Sequence, residues 1–164
     1  KQWIGNGFVI PSGPLREKLT SLNRCNYVFI NGNKNLEYEK VLKKFNPKVK
    51  IFYTRYRPTN LDNISNKKVL AFAGIANPTN FFDLLKNNNI EVVHTINFPD
   101  HYNFKKADII NLKKRAGDLN ACLVTTEKDY LRLDNEYKKS INCLKIELLI
   151  DNKEEFINQL KQII

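Results

Sequence analysis

The chain has 164 residues and a mass of 19.2 kDa, enough for one domain with a real core and too little for two full-sized ones. Hydrophobic residues make up 42% and charged residues 27%, a globular rather than a disordered balance. Lys+Arg 27 against Asp+Glu 17 leaves a net charge of +10. No apolar run reaches bilayer length and no signal-peptide pattern opens the chain, so the expectation excludes secretion and membrane spanning.

The chain begins at Lys1 and holds no Met, which predicts the later part of a longer product. Asn, Lys and Ile are abundant, as in Asn87-Asn88-Asn89. AT-rich coding accounts for that load as well as a selected basic surface does. Cys25, Cys122 and Cys143 are far apart with no CxxC pair, which argues against a disulfide framework or a zinc site and fits a reducing cytosol.

Gly5, Gly7, Pro11, Gly13 and Pro14 punctuate residues 1–17 as turns. A boundary is expected near residues 18–25, where strand and helix signals begin to alternate. Tyr27 to Ile30 reads as a strand and Leu36 to Phe45 as a helix, with Leu36, Val41, Leu42 and Phe45 on its apolar face and Pro47 beyond it. Val49 to Tyr56 alternates as a strand. Val69 to Ala73 is apolar throughout, as a strand buried on both faces should be. Asn77 before Pro78 predicts a helix start, with Phe81, Phe82, Leu84 and Leu85 inward.

Val92 to Ile96 is the next expected strand. Lys105 to Ala116 predicts a helix ending at Gly117, with Ala107, Ile110, Leu112 and Ala116 inward. Ala121 to Thr125 is another buried strand, followed by a short helix holding Tyr130, Leu131 and Leu133. Leu144 to Ile150 reads as a last strand. Asp151 to Glu154 opens a closing helix in a capping pattern, with Phe156, Ile157, Leu160, Ile163 and Ile164 as its apolar face. Strands separated by helices predict an α/β fold: a mostly parallel sheet with helices on both faces, in Rossmann-like α/β/α layers.

Ligands gather at the C-terminal ends of such strands, and three consecutive ends carry polar loops that crossover topology brings to one edge. Ala73-Gly74-Ile75-Ala76-Asn77-Pro78 is the first, with Gly74 serving either a tight turn or a ligand. Phe98-Pro99-Asp100-His101-Tyr102 is the second. Its carboxylate beside an imidazole either orients a proton carrier or is a solvated turn. Thr125-Thr126-Glu127-Lys128-Asp129 is the third. A capping box explains its Thr126 and Asp129 but not Lys128. His94, mid-strand, reads as a packed or surface residue. Arg16 is by type a phosphate donor and Glu17 a ligand for a hard cation such as Mg²⁺, unless the two are a surface salt bridge. No GxxxxGK[ST] occurs, and Gly5-Asn6-Gly7 lacks the third glycine of a dinucleotide fingerprint.

Taken in order, these segments resemble the tetraacyldisaccharide 4′-kinase (lipid A 4′-kinase) family of Gram-negative bacteria, in its C-terminal half. The likeness is carried by Gly5-Asn6-Gly7 with Ile10 to Glu17, by Ala71 to Pro78 with Phe81-Phe82, by Phe98 to His101, and by Thr125 to Asp129. It implies transfer of the ATP γ-phosphate, with Mg²⁺, to the 4′-hydroxyl of a tetraacyl glucosamine disaccharide 1-phosphate. The expected place is the cytoplasm, peripheral on the anionic inner face of the cytoplasmic membrane. Residues 1–22 would be a remnant of the N-terminal kinase lobe and 23–164 the C-terminal α/β domain. The P-loop would lie in the lobe that precedes this chain, leaving the chain inactive alone.

By the same resemblance Arg16 and Glu17 match a PLRE segment near the nucleotide phosphates and Mg²⁺. His101, with Asp100, matches a histidine that assists a carboxylate base, and the Arg16 and His101 turns are expected to share a crevice. Tyr102 departs from the family, where a second histidine is common, and Lys18 replaces a frequent Pro. The rival readings are an inert remnant or non-catalytic α/β domain and, from the charge, a nucleic-acid binder. The second is disfavoured because Lys and Arg are spread along the chain and most Phe look inward, so no nucleic-acid partner is expected.

Overall fold

Val69, Leu70, Ala71, Phe72 and Ala73 have no solvent exposure at all, and a strand buried on both faces needs a layer on each side. In the computed structural model, which describes residues 4–162, this segment is β3 (Lys68–Ala73). It lies within a four-stranded sheet of order β4-β3-β5-β6, formed with β4 (Glu91–Asn97), β5 (Ala121–Thr126) and β6 (Ile141–Leu144). All three pairings are parallel. Val69, Ala71 and Ala73 pack with Phe81, Phe82 and Leu85 of α2 (Pro78–Asn87). Leu70 and Phe72 point the other way, to Ile109, Leu112 and Ala116 of α3 (Lys106–Asp118). The period of two along one strand therefore builds both halves of the core, and the expected α/β class, parallel with helices on both faces, is what forms.

The chain divides into two compact units, one of residues 57–147 that holds this sheet, the other of residues up to 56 with those from 148 onward. The division falls within β2 (Lys50–Pro58) and β7 (Ile146–Ile150). In the unit that holds both chain ends a 3-10 turn (Leu19–Arg24) precedes β1 (Tyr27–Asn31) and α1 (Leu36–Phe45), and α6 (Lys153–Lys161) follows β7. β1 pairs in parallel with β2, in a three-stranded sheet of order β1-β2-β7. Ile30, Leu42, Val49 and Phe52 are buried there. Phe156 of α6 meets the rings of Tyr27, Phe29 and Phe52 edge-on at 5.1–5.5 Å. Buried Asn46 donates to the carbonyls of Leu22 and Cys25 and accepts from Lys48 N–H, so its side-chain amide is satisfied.

Several local expectations give way to tertiary contacts. Leu144 to Ile150 is not one strand. The Lys145 amide donates to Asn60 Oδ1 at 2.8 Å and its carbonyl accepts from Thr59 N–H at 3.0 Å, so its backbone is taken up by a loop and β6 and β7 go to different sheets. The helical turn α4 (Glu127–Arg132) is followed by a second, α5 (Asn135–Lys138), absent from the sequence reading. In α3 the inward residue is Ile109, with Ile110 54% exposed and Ala107 exposed as well. The stripe is phased on 109, 112 and 116, and the helix runs past Gly117 to Asp118.

Leu36 and Leu131 are likewise exposed. Asn77 is the N-cap residue of α2 but its side chain makes no cap bond; Pro78 supplies the start. The capping pattern at Asp151 does not form, because its amide donates to Tyr53 O and its carboxylate pairs with Arg55 at 3.6 Å. Asn152, at φ 57°, occupies the N-cap position of α6, without a side-chain cap bond. Ile163 and Ile164 lie outside the described residues. Among the described residues no helix is long and apolar enough to cross a membrane. Truncating fully buried Leu85 to Ala should destabilise its unit by about 2–5 kcal/mol, whereas Leu131→Ala should stay within about 0.5 kcal/mol; urea denaturation midpoints distinguish the two.

Candidate active site

The loops that follow β3, β4 and β5 meet at one edge of the four-stranded sheet, as expected from crossover topology. Gly74 closes β3, and a Cβ there would sit 3.2 Å from Pro99 O, 3.2 Å from Tyr102 Cβ and 3.3 Å from Asp129 Oδ1. The absent side chain lets the second and third loops close over the first.

Asp129 joins the three loops. It has no solvent exposure. Its Oδ2 accepts from Gly74 N–H at 3.0 Å and from the Thr126 hydroxyl at 2.7 Å, and Thr126 Oγ1 in turn accepts from Asp129 N–H. The capping expected of Thr126 is therefore real, yet the carboxylate also ties β3 to β5. Arg132, one turn along α4, brings Nη1 to 3.4 Å from Asp129 Oδ1 and donates to Gly74 O. A buried carboxylate needs such a set of donors, since solvent is not available to supply them.

His101 stands on this platform with its side chain 70% exposed. Its amide donates to Gly74 O at 3.1 Å and to Asp100 Oδ1 at 2.9 Å. Five described non-glycine residues have positive φ; four are Asn, and the fifth is His101 at 60°. Asn and His both tolerate this region better than most residues, yet a non-glycine residue held there is uncommon, and such positions cluster at sites of function. The imidazole Nδ1 lies 3.1 Å from Arg132 Nη2, while Nε2 is 3.8 Å from Asp100 Oδ2. The ring is thus hydrogen-bonded to Arg132, a residue the sequence reading did not single out, and only near Asp100. Lys128, unexplained by capping, stands 4.0 Å from Asp100 Oδ1. His94 sits half-buried in β4 opposite Leu70, as read.

Tyr102 supports the loop. Its ring packs on Phe98 and Phe104 at 4.9 and 5.4 Å, and its hydroxyl donates to Asp108 Oδ2 at 3.1 Å. That bond to a carboxylate is the main reason its pKa rises above the usual tyrosine range. Asp108 also accepts from Lys105 N–H, closing the first turn of α3.

Arg16 and Glu17 belong to the unit that holds both chain ends, not to the one that holds the four-stranded sheet. The leader folds back on itself: Ile10 N–H donates to Leu15 O, Leu15 N–H to Phe8 O, and Asn6 Nδ2 to Ser12 O. A Cβ on Gly13 would overlap Asn6 Oδ1 and the Phe8 carbonyl. Arg16 emerges exposed from this turn. Glu17 forms its ion pair with Arg24, at 2.5 Å. The Arg24 hydrogen bond, then one from Ser21, holds its carboxyl below the usual glutamate range. As a hard, ionised oxygen donor Glu17 fits Mg²⁺ as one ligand among phosphates and waters. Among the described residues no group of three or more metal-ligating side chains exists, so the fit is that of a contributor and not of a whole site.

Asp129→Ala should strand the Gly74 amide and the Arg132 guanidinium and cost about 3–5 kcal/mol, read from the thermal or denaturant midpoint. Because the Glu17 pKa is lowered in the fold, its contribution is present above the ordinary glutamate value and lost as pH falls through the depressed one. Arg24→Gln should return the Glu17 titration toward that ordinary value, followed by carboxyl carbon NMR.

Comparison with known proteins gives this geometry a context. The family model LpxK, tetraacyldisaccharide-1-P 4′-kinase, matches residues 1–164. A tetraacyldisaccharide 4′-kinase of Pelagibacter ubique is 39% identical over 161 residues, covering 96% of this chain and 51% of that protein. One of Rickettsia canadensis is 41% identical over 153 residues, covering 91% and 45%. The chain spans about half the length of the curated relatives it matches. A crystal structure of LpxK from Aquifex aeolicus in complex with ATP shares the fold at TM-score 0.63 and 19% identity, over 96% of this chain and 49% of that one. The chain belongs to the tetraacyldisaccharide-1-P 4′-kinase family.

Proposed function

We propose that this chain is the C-terminal part of a kinase that transfers the γ-phosphate of ATP to the 4′-hydroxyl of a tetraacyl glucosamine disaccharide 1-phosphate, in lipid A biosynthesis. The reading is supported above all by His101: a histidine kept in left-handed backbone, its ring between Arg132 and Asp100 and with Lys128 beside that carboxylate, at the strand ends where an α/β fold binds ligands. A sugar hydroxyl needs a base as it attacks phosphorus. His101 holds or polarises a carboxylate that takes this proton and that comes from the part of the protein preceding this chain. Asp100 keeps an anionic charge beside the ring.

Arg16 offers a planar, permanently charged fork to the nucleotide phosphates. Glu17 offers one carboxylate to Mg²⁺, which would neutralise phosphate charge in the transfer. The chain has no GxxxxGK[ST], so the phosphate cradle belongs to the preceding lobe, with which residues 1–22 group functionally. The same missing motif favours a second reading, a chain without activity of its own. Assay of the chain with and without a nucleotide-binding half separates the two, and activity is expected only with it. A net charge of +10 suits a peripheral position on the anionic inner face of the cytoplasmic membrane, where each nearby Lys or Arg contributes about 1 kcal/mol. Co-sedimentation with anionic vesicles should fall steeply with salt, and neutral vesicles should not retain the chain.

His101→Asn tests the catalytic part. Asn accepts the φ of 60°, whereas Ala pays about 1–2 kcal/mol there, so the Asn variant removes the imidazole with the least disturbance of the backbone. In a full-length enzyme of this family carrying this segment, turnover should fall at least about a hundredfold while the thermal midpoint holds. Undiminished turnover removes His101 from the mechanism.

A further inference from the structure

We infer that Arg132, anchored on the buried carboxylate of Asp129, is a positioning residue that fixes His101 as its Nε2–H tautomer and aims that N–H outward to the reacting groups. The tautomer follows from donor identity. A guanidinium only donates hydrogen bonds, and its Nη2 lies 3.1 Å from His101 Nδ1. Nδ1 therefore presents its lone pair, because an N–H there would face the Arg132 N–H head-on. The single ring proton of the neutral imidazole is left on Nε2.

Arg132 is itself held. Its other terminal nitrogen is 3.4 Å from both Asp129 Oδ1 and Gly74 O, its side chain is only 24% exposed, and Asp129 is fully buried. The groups facing the ring are the guanidinium on one nitrogen and Asp100, 3.8 Å from the other, with Lys128 on the far side of that carboxylate. Asp100 is too far from Nε2 for a hydrogen bond, so Nε2–H remains available to an oxygen from outside the chain. An exposed imidazole with no such brace samples both tautomers and several rotamers; one anchored through Nδ1 presents one donor in one direction.

This inference rests on the proposed kinase reading for its purpose, but its first test does not. The chain contains only two histidines, His94 and His101. In long-range ¹H–¹⁵N spectra of the histidine-labelled chain at about pH 9, above the ordinary histidine range, His101 should show a pyridine-like Nδ1 and a pyrrole-like Nε2. Arg132→Met should move both shifts toward the averaged values of a tautomer mixture with His94 unmoved, and Arg132→Lys, which keeps a donor, should restore them. A wild-type spectrum with the proton on Nδ1, or one that Arg132→Met leaves unchanged, overturns the assignment, the first without need of any variant.

The second test uses a full-length enzyme of the family carrying this segment. Arg132→Met should lower kcat by about tenfold to a hundredfold with KM for the lipid acceptor unchanged, and Arg132→Lys should recover most of it. Tautomer mixing with an unchanged kcat overturns the positioning role. If instead His101→Asn leaves turnover intact, the kinase reading of His101 fails while the tautomer assignment stands on its spectrum.

Discussion

A carboxylate with no access to water must find its hydrogen bonds inside the protein, and Asp129 finds them on three chain segments at once. The Gly74 amide at the end of β3, the Thr126 hydroxyl at the end of β5 and the Arg132 guanidinium on α4 converge on it. Removing any one leaves the others around a poorly compensated charge. The loop after β4 is drawn to the same platform through the His101 amide and Gly74 O. One desolvated charge thus dictates where three strand-end loops sit, and an imidazole is mounted on the result.

That imidazole is held at two levels. Its backbone is kept in a left-handed conformation by hydrogen bonds to Gly74 O and to its own neighbour's carboxylate. Its ring is held by Arg132. Strain of this kind persists where the surroundings over-determine it, commonly at sites of function. Asp100 is exposed: its carboxylate accepts from the His101 amide, but it stands 3.8 Å from the ring and 4.0 Å from Lys128 and makes no short bond to either. The aromatic packing of Phe98, Tyr102 and Phe104 keeps the loop from collapsing. Tyr102 is thus explained by packing and by its bond to Asp108, without a place in proton transfer.

In the other unit the leader is built differently. It has little apolar core and is built from turns, with backbone bonds from Phe8 to Leu15 and the Asn6 side chain stitching it together. Its product is an exposed Arg16 followed by a Glu17 kept ionised by Arg24. An arginine and an ionised carboxylate on a tight turn are what a phosphate and a hard cation respectively would meet. The family relation runs over the whole chain, which spans about half the length of the relatives it matches.

Local sequence determined the elements wherever one physical signal dominated. The unbroken apolar run at Val69–Ala73 could only be a strand buried on both faces, and the Leu36–Phe45 helix formed with the bounds its pattern predicted. Strand–helix alternation determined the parallel class, and with it the meeting of the Gly74, His101 and Asp129 loops. What tertiary structure alone decided were the choices that depend on partners remote in sequence. Lys145 breaks an apparent strand because Asn60 and Thr59 claim its backbone. Ile109 rather than Ile110 faces inward because the α3 stripe is phased by its packing on β3. Arg132 looked like an ordinary helix-end cation, and its i, i+3 spacing from Asp129 was the one local hint. Only the fold, by burying that aspartate and placing His101 31 positions away within reach, made it part of the site, because a hydrogen bond is decided by distance in space and not along the chain.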